Sequence, residues 1–312
     1  MLPEGVPKGA FGPRLQAIVA DCTGVYRLSK RTTEELLGDL FGVPMALGSV
    51  TACEQAMSGT VAARVAEAHA YVLQQPVVHA DETGWREARG RAWLWVAATA
   101  LLGEFGGILV TDRWCAYNRW KTRMRQVCWA HLIREFTAFS ERSGEAGRIG
   151  TALLDSAKQM FDWWYRVRDG TLARSSFQEY MKPLRRRVRA LLEEGTSCDH
   201  GKTAGTCREI LKLERALWTF VRVPGVEPTN NAAERAIRPG VLWRKGSFGT
   251  HSPAGSRFVE RMMTVAATLK QQKRSIIDYL THAAEAALRG VPAPSLLPVL
   301  VAMPLSSARK VA

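Results

Sequence analysis

The 312-residue sequence has no C-x-x-C pair: its six cysteines, Cys22, Cys53, Cys115, Cys128, Cys198 and Cys207, are scattered. A disulfide framework is not expected in so long a chain, which points to a reducing, cytoplasmic setting. The N-terminus, MLPEGVPKGAFGPRLQ, lacks an unbroken apolar stretch behind a basic start, so no secretory signal is expected. Internal repeats and low-complexity tracts are also missing. Acidic residues are scarce: 29 Asp and Glu stand against 43 Lys and Arg, a net charge of +14 with a pI near 9.9. Such an excess suits a polyanionic partner, although a soluble basic enzyme carries it equally well. The sequence is otherwise ordinary, with 46% hydrophobic and 23% charged residues, which excludes disorder as the main state.

Only Ala92 to Val110, AWLWVAATALLGEFGGILV, approaches the length of a membrane span. Glu104 and three glycines interrupt it, and WLWVA and ILV read better as buried strands. No membrane association is expected.

Residues 1–75 read as helices. Leu15, Ile18, Val19 and Cys22 share a helical spacing, Ser29 caps a second helix with Leu36, Leu37, Leu40 and Phe41 on one stripe, and a third opens near Ser49 and runs toward Tyr71. Two helices around the break at Gly42 have helix-turn-helix form, or that of a plain helical hairpin. From Pro76 the chain changes. VVHA (77–80), WLWVAA (93–98), GILV (107–110) and RQVCWA (125–130) read as strands of one buried mixed sheet. Apolar spacings of three and four then predict helices over about 137–222, interrupted by a loop at GTSCDHGKTAGTC. Pro224 to Gly255 reads as loop-rich and basic, Arg257 to Leu288 as one helix, and 291–312 as an irregular tail.

Three carboxylates stand where a sheet-based metal site needs them. Asp81 follows VVHA, Asp112 follows GILVT, and Glu234 lies at a helix start in PTNNAAERAIRP. Ligands of open α/β sheets gather beyond the strand carboxyl ends. Hard cations take oxygen ligands, and two of them about 3.5–4 Å apart can clamp the oxygens of a phosphoryl displacement. Singly, each acid has a plainer role as a turn former or helix cap, and Glu234 could complete a capping box with Asn231. Cys128-x-x-His131 has the spacing of half a metal site, or marks a buried strand end with His131 near the active site. Cys198, His200 and Cys207 share one segment and could bind zinc, but lack a fourth ligand. Asn230 and Asn231 shape a turn and can hydrogen-bond phosphate. Arg235, Arg238, Arg244 and Lys245, interleaved with glycines and Ser247, read as a phosphate groove or a solvated basic face. Arg185, Arg186, Arg187 and Arg189 read as an exposed helix face.

The stretches VVHADETGW (77–85), GILVTDRWCAYN (107–118), VCWAHLIREF (127–136), PTNNAAERAIRP (228–239), WRKGSFGTHS (243–252) and RFVERMMTVAATLKQQ (257–272) resemble the insertion sequence 66 family of bacterial transposases. The resemblance runs from about Phe11 to Leu288. It implies an α/β chain: a ribonuclease-H-like mixed sheet over 76–290, with a large all-helical insertion, behind an N-terminal helix-turn-helix-like region. It further implies a DDE triad of Asp81, Asp112 and Glu234 holding two Mg²⁺ or Mn²⁺ ions for DNA cleavage and strand transfer. His131, Asn230, Asn231, Arg235, Arg238, Arg244, Lys245 and Ser247 would then lie along nucleic acid. The implied partners are the element's terminal inverted repeats and target DNA, a second copy of the chain on DNA, and accessory proteins of the same element, in the nucleoid of a bacterial cytoplasm.

Two departures qualify this. The usual members begin with a helical extension and a cysteine-rich zinc module, which this sequence is expected to lack. The family's core also needs a third strand and a helix between WLWVAA and GILVT, and the interval is short by roughly twenty residues. An internal deletion near Ala100 is therefore expected. The expected activity is transposition, impaired by that deletion, with an inactive DNA-binding remnant and a stand-alone ribonuclease-H-like nuclease as alternatives.

Overall fold

The computed structural model describes residues 11–96 and 105–298. Helices dominate: α1 (Pro13–Gly24), α2 (Lys30–Phe41), α3 (Leu47–Leu73), α4 (Trp129–Ser140), α5 (Gly144–Arg168), α6 (Arg174–Gly195), α7 (Gly201–Lys212), the short α8 (Glu214–Leu217) and α9 (Thr219–Arg222), α10 (Asn231–Ser247), α11 (Pro253–Gln271) and α12 (Ile276–Leu288). The strands are β1 (Val77–His79), β2 (Asp81–Glu87), β3 (Gly90–Val96), β4 (Ile108–Thr111) and β5 (Arg125–Val127). The protein is thus mixed α/β, mostly helical with few strands. Two compact units, each discontinuous in sequence, make up the chain: Leu73–Thr83 with Trp95–Arg238, and Met1–Val72 with Gly84–Leu94 and Pro239–Ala312.

The first unit is built on a three-stranded sheet in the order β1-β4-β5, with both pairs parallel. Its carboxyl ends therefore all point one way. Short apolar strands suit a parallel sheet buried on both faces. β5 is the exception in composition, for Arg125 and Gln126 are fully buried within it. Each is satisfied: Arg125 donates to the Thr111 hydroxyl and the Asp112 carbonyl, and Gln126 bonds the backbone of Leu217 and Phe220. Trp129, Leu132, Phe136 and Phe139 give α4 a buried stripe that joins Ile149, Leu153, Met160 and Trp164 of α5 and Phe177, Met181 and Leu184 of α6 in one core. A Cβ on Gly150 of α5 would come within 2.3 Å of the Ser140 nitrogen, so that position needs glycine.

The second unit packs α1, α3, α11 and α12 through Ala17, Ala20, Met57, Val61, Val65, Met262, Leu269 and Leu280. Val19, Leu37, Met45, Val50 and Cys53 form a smaller core around α2. The Ser29 hydroxyl caps α2 by accepting from the Thr32 N–H, and Gly42 ends it at φ 63°.

Several expectations need correction. Instead of one mixed sheet, the described strands form a purely parallel sheet and a separate pair, β2 with β3. Asp81, which read singly could be a turn former, opens strand β2, whose Thr83 and Trp85 are buried in alternation. RQVCWA is strand only to Val127, because Trp129 already opens the helical stripe of α4. The GTSCDHGKTAGTC loop stops at His200, whose ring accepts from the Thr203 N–H and caps α7. Pro224 to Gly255 is mostly not loop, since α10 continues through Pro239. The long final helix is broken at Lys273 (φ 55°), and Ser275 caps α12 afresh. Among the described residues no helix is long and apolar enough to cross a membrane. The seam at residues 97–104 and the tail from residue 299 lie outside the described residues.

Candidate active site

Parallel pairing sets His79 across from Val110 and Thr111 across from Val127. Hydrogen bonds from Ala80 N–H to Val110 O and from Cys128 N–H to Thr111 O carry the pairing onward. Continued past the strand ends, this register sets Asp81 beside Asp112 and Asp112 beside Cys128. Each aspartate spends one oxygen on a backbone donor, Asp81 on Glu82 N–H (3.0 Å) and Asp112 on Trp114 N–H (2.9 Å).

Glu234 reaches the same place from α10. Its Oε1 lies 3.4 Å from His131 Nδ1 and 3.9 Å from Cys128 Sγ, and its Oε2 lies 3.5 Å from Arg134. These contacts engage the carboxylate from the end of β5 and from α4. Asn230 fixes the helix start. It is fully buried, its carboxamide donates to Ala80 O (2.7 Å), its Oδ1 lies 3.2 Å from His79 Nδ1, and its N–H donates to Cys128 Sγ (3.1 Å).

Asp81 senses the other two acids. Burial pushes Asp81 up to about 6, and the charges of Asp112 and Glu234 push in the same direction. A fourth carboxylate, Glu82, is pushed up to about 7 by burial, with Asp112 and Asp81 adding to it against a 2.5 Å hydrogen bond from the Tyr117 hydroxyl. Arg125 lies against the Tyr117 ring and is lowered to about 10 by its own burial.

The donor set fits a hard cation. Asp81, Asp112 and Glu234 offer oxygens of the kind a divalent ion takes, although among the described residues their ligand atoms are not gathered within 4.8 Å of one another. Cys128, His131 and Glu234 do bring ligand atoms within 4.8 Å of one another. Burial raises the Cys128 thiol, however, and holds it protonated, which disfavours a thiolate site. Among the described residues, Cys198, His200 and Cys207 do not form such a group; His200 caps a helix, and Cys207 packs in the core.

Of the residues expected along nucleic acid, His131 is beside Glu234. Asn230 is a correction: buried and committed to Ala80, it bridges elements and has no free amide for phosphate. Asn231, Arg235 and Arg238 are exposed on α10 in the same unit. Arg244, Lys245 and Ser247 belong to the other unit, where the Ser247 hydroxyl donates to Trp243 O. Arg185 lies against Trp218 and near Glu214, unlike the exposed Arg186 and Arg187. Sequence reasoning missed Glu82, Tyr117 and Arg134. The first two stand in the motifs that hold Asp81 and Asp112, and Arg134 sits one helical turn beyond His131.

The model of the family described as Transposase IS66 family matches residues 8–101 and 97–257. The chain belongs to that family. An uncharacterized protein of Sinorhizobium fredii (strain NBRC 101917 / NGR234), y4qI, is 29% identical over 209 residues. That match covers 62% of this chain and 38% of the relative, so the chain spans about two-fifths of the relative's length. No solved structure matches the chain.

Proposed function

We propose that the chain is a DDE transposase in which Asp81, Asp112 and Glu234 hold two divalent metal ions, Mg²⁺ or Mn²⁺, on a ribonuclease-H-like core. The observation that carries this reading is geometric: the parallel strands β1, β4 and β5 end together, Asp81 and Asp112 follow two of those ends, and Glu234 reaches Cys128 at the third from α10. Family membership supports the same conclusion. The order β1-β4-β5, all parallel, with acids at the carboxyl ends, supports the core fold.

Such metals supply an activated nucleophile and neutralise charge on the phosphodiester. The chain's own residues arrange the site. Asn230 sets the start of α10 so that Glu234 meets the strand ends, and Arg125 holds the Asp112 carbonyl. Arg134 orients the Glu234 carboxylate and, exposed beside it, offers a cation to DNA phosphate, with His131 alongside. Asn231, Arg235 and Arg238 extend that positive face along α10. Residues 1–75 would serve as a helix-turn-helix-like DNA-binding region, and the protein would act as an oligomer on element ends and target DNA, with accessory proteins of the element.

The test is a cleavage and joining assay with Mg²⁺ on a terminal-inverted-repeat substrate. Cleavage and joining together support transposition, and cleavage without joining would make the protein a nuclease. A second reading, an inactive DNA-binding remnant, is favoured by the family match falling in two segments that meet at residues 97–101, where a deletion is expected. Inserting roughly twenty residues from a full-length relative after Ala100 should then raise both thermal stability and cleavage.

A further inference from the structure

The unit that contains Pro239–Ala312 has a cleft of about 510 Å³, within the roughly 300–1,000 Å³ span of ligand sites. Four cations line it: Arg86 and Arg91 from the β2–β3 pair, and Arg244 and Lys245 from the last turn of α10. Among the described residues none of the four has a carboxylate within ion-pair reach, although Nε of Arg244 is buried without a hydrogen-bond partner. An orphaned guanidinium donor in a cleft of like charges calls for an anion.

The cleft also carries an aromatic ring held out to solvent. Phe248 is 76% exposed and has φ 60°, a backbone conformation that helix ends usually give to glycine. Its frame leaves it little freedom. Phe248 N–H donates to Arg244 O, Thr250 N–H donates to Arg86 O, and Gly249 sits so close that a Cβ there would lie 2.2 Å from Arg86 O. A large ring kept both exposed and left-handed, beside four unpaired cations, is the kind of local cost that functional sites retain.

We infer that this cleft binds an unpaired nucleotide of DNA, its phosphates on Arg86, Arg91, Arg244 and Lys245 and its base stacked on Phe248. The inference rests on the transposase reading for its choice of DNA. A base inside a duplex has no free face, so stacking on Phe248 selects an unpaired one, and stacking tolerates any sequence. Cationic contacts alone would bind paired and unpaired strands alike.

Fluorescence anisotropy on the full chain tests this with three labelled probes: a paired duplex, the same duplex with a short single-stranded end, and that end with an abasic site in place of one base. The single-stranded end should bind tighter than the abasic one in the unaltered protein. Phe248→Ala should remove that difference, a loss of about tenfold, and leave paired-duplex binding unchanged. Phe248→Trp should keep it and show indole quenching on binding. Thermal melts of both variants check that the exposed substitution leaves the fold intact. Equal affinity for base-containing and abasic ends, or an unchanged preference in Phe248→Ala, would overturn the inference while the transposase reading stood. Failure to bind any of the three probes would overturn both.

Discussion

The carboxamide of Asn230 donates to the carbonyl of Ala80 at 2.7 Å, tying the start of the helix that carries Glu234 to the residue before Asp81. Its backbone N–H meets Cys128 Sγ at the end of a second strand. One buried side chain thus joins elements about 150 residues apart in sequence. Asn230→Ala should cost about 1–3 kcal/mol, because the buried Ala80 carbonyl loses its donor. Urea unfolding measures this, and cleavage should fall with it as Glu234 loses its fixed position. A variant as stable and active as the parent would show that the bridge is not needed.

Acid–base behaviour follows from the raised carboxylates. Asp81 and Glu82 titrate near 6 and 7 in the folded chain, above ordinary carboxylates near 4. Groups raised by folding favour the fold while protonated, and that contribution is lost as pH rises through about 6 and 7. The metal-free protein should therefore gain thermal stability at about pH 8 on Asp81→Asn or Glu82→Gln, with little gain at about pH 4. Mg²⁺ should stabilise the unaltered protein at about pH 8 and the Asp81→Asn variant far less. Calorimetric scans across this range would contradict the assignment if parent and variants shifted in parallel.

Core packing offers a separate check. Gly150→Ala should cost about 1–3 kcal/mol, because its methyl meets the Ser140 backbone, which cannot turn aside as a flexible side chain could. Denaturant midpoints would show it, and an unchanged midpoint would mean that α4 and α5 can separate freely.

Double substitution of Arg244 and Lys245 by Ala should weaken DNA binding regardless of sequence. The salt dependence should flatten by about one unit of slope per lost phosphate contact. An unchanged slope would place both side chains away from DNA.

Much of this was legible in sequence. The apolar runs at 77–80 and 107–110 gave β1 and β4 nearly in place, because buried parallel strands announce themselves by composition. Asp81, Asp112 and Glu234 stood out by position at element ends. β2 was hidden because DETGWRE is polar, and its alternation rests only on Thr83 and Trp85. The helical run of α10 was masked by Pro239 and by the glycines near its end. Asn230 looked like a surface turn former, and only long-range contacts with Ala80 and Cys128 reveal its burial. Glu82 was passed over because nothing in its neighbourhood in sequence signals Tyr117, which meets it across 35 residues.

We propose that Asp81, Asp112 and Glu234 act as one metal site on DNA. The most direct test is Mg²⁺-dependent strand cleavage by Asp81→Ala, Asp112→Ala and Glu234→Ala, measured beside their affinity for the same DNA. Each substitution should abolish cleavage and leave affinity largely intact, since carboxylates bind metal and not phosphate. Cleavage retained by any one of the three would remove that residue from the site and contradict the account.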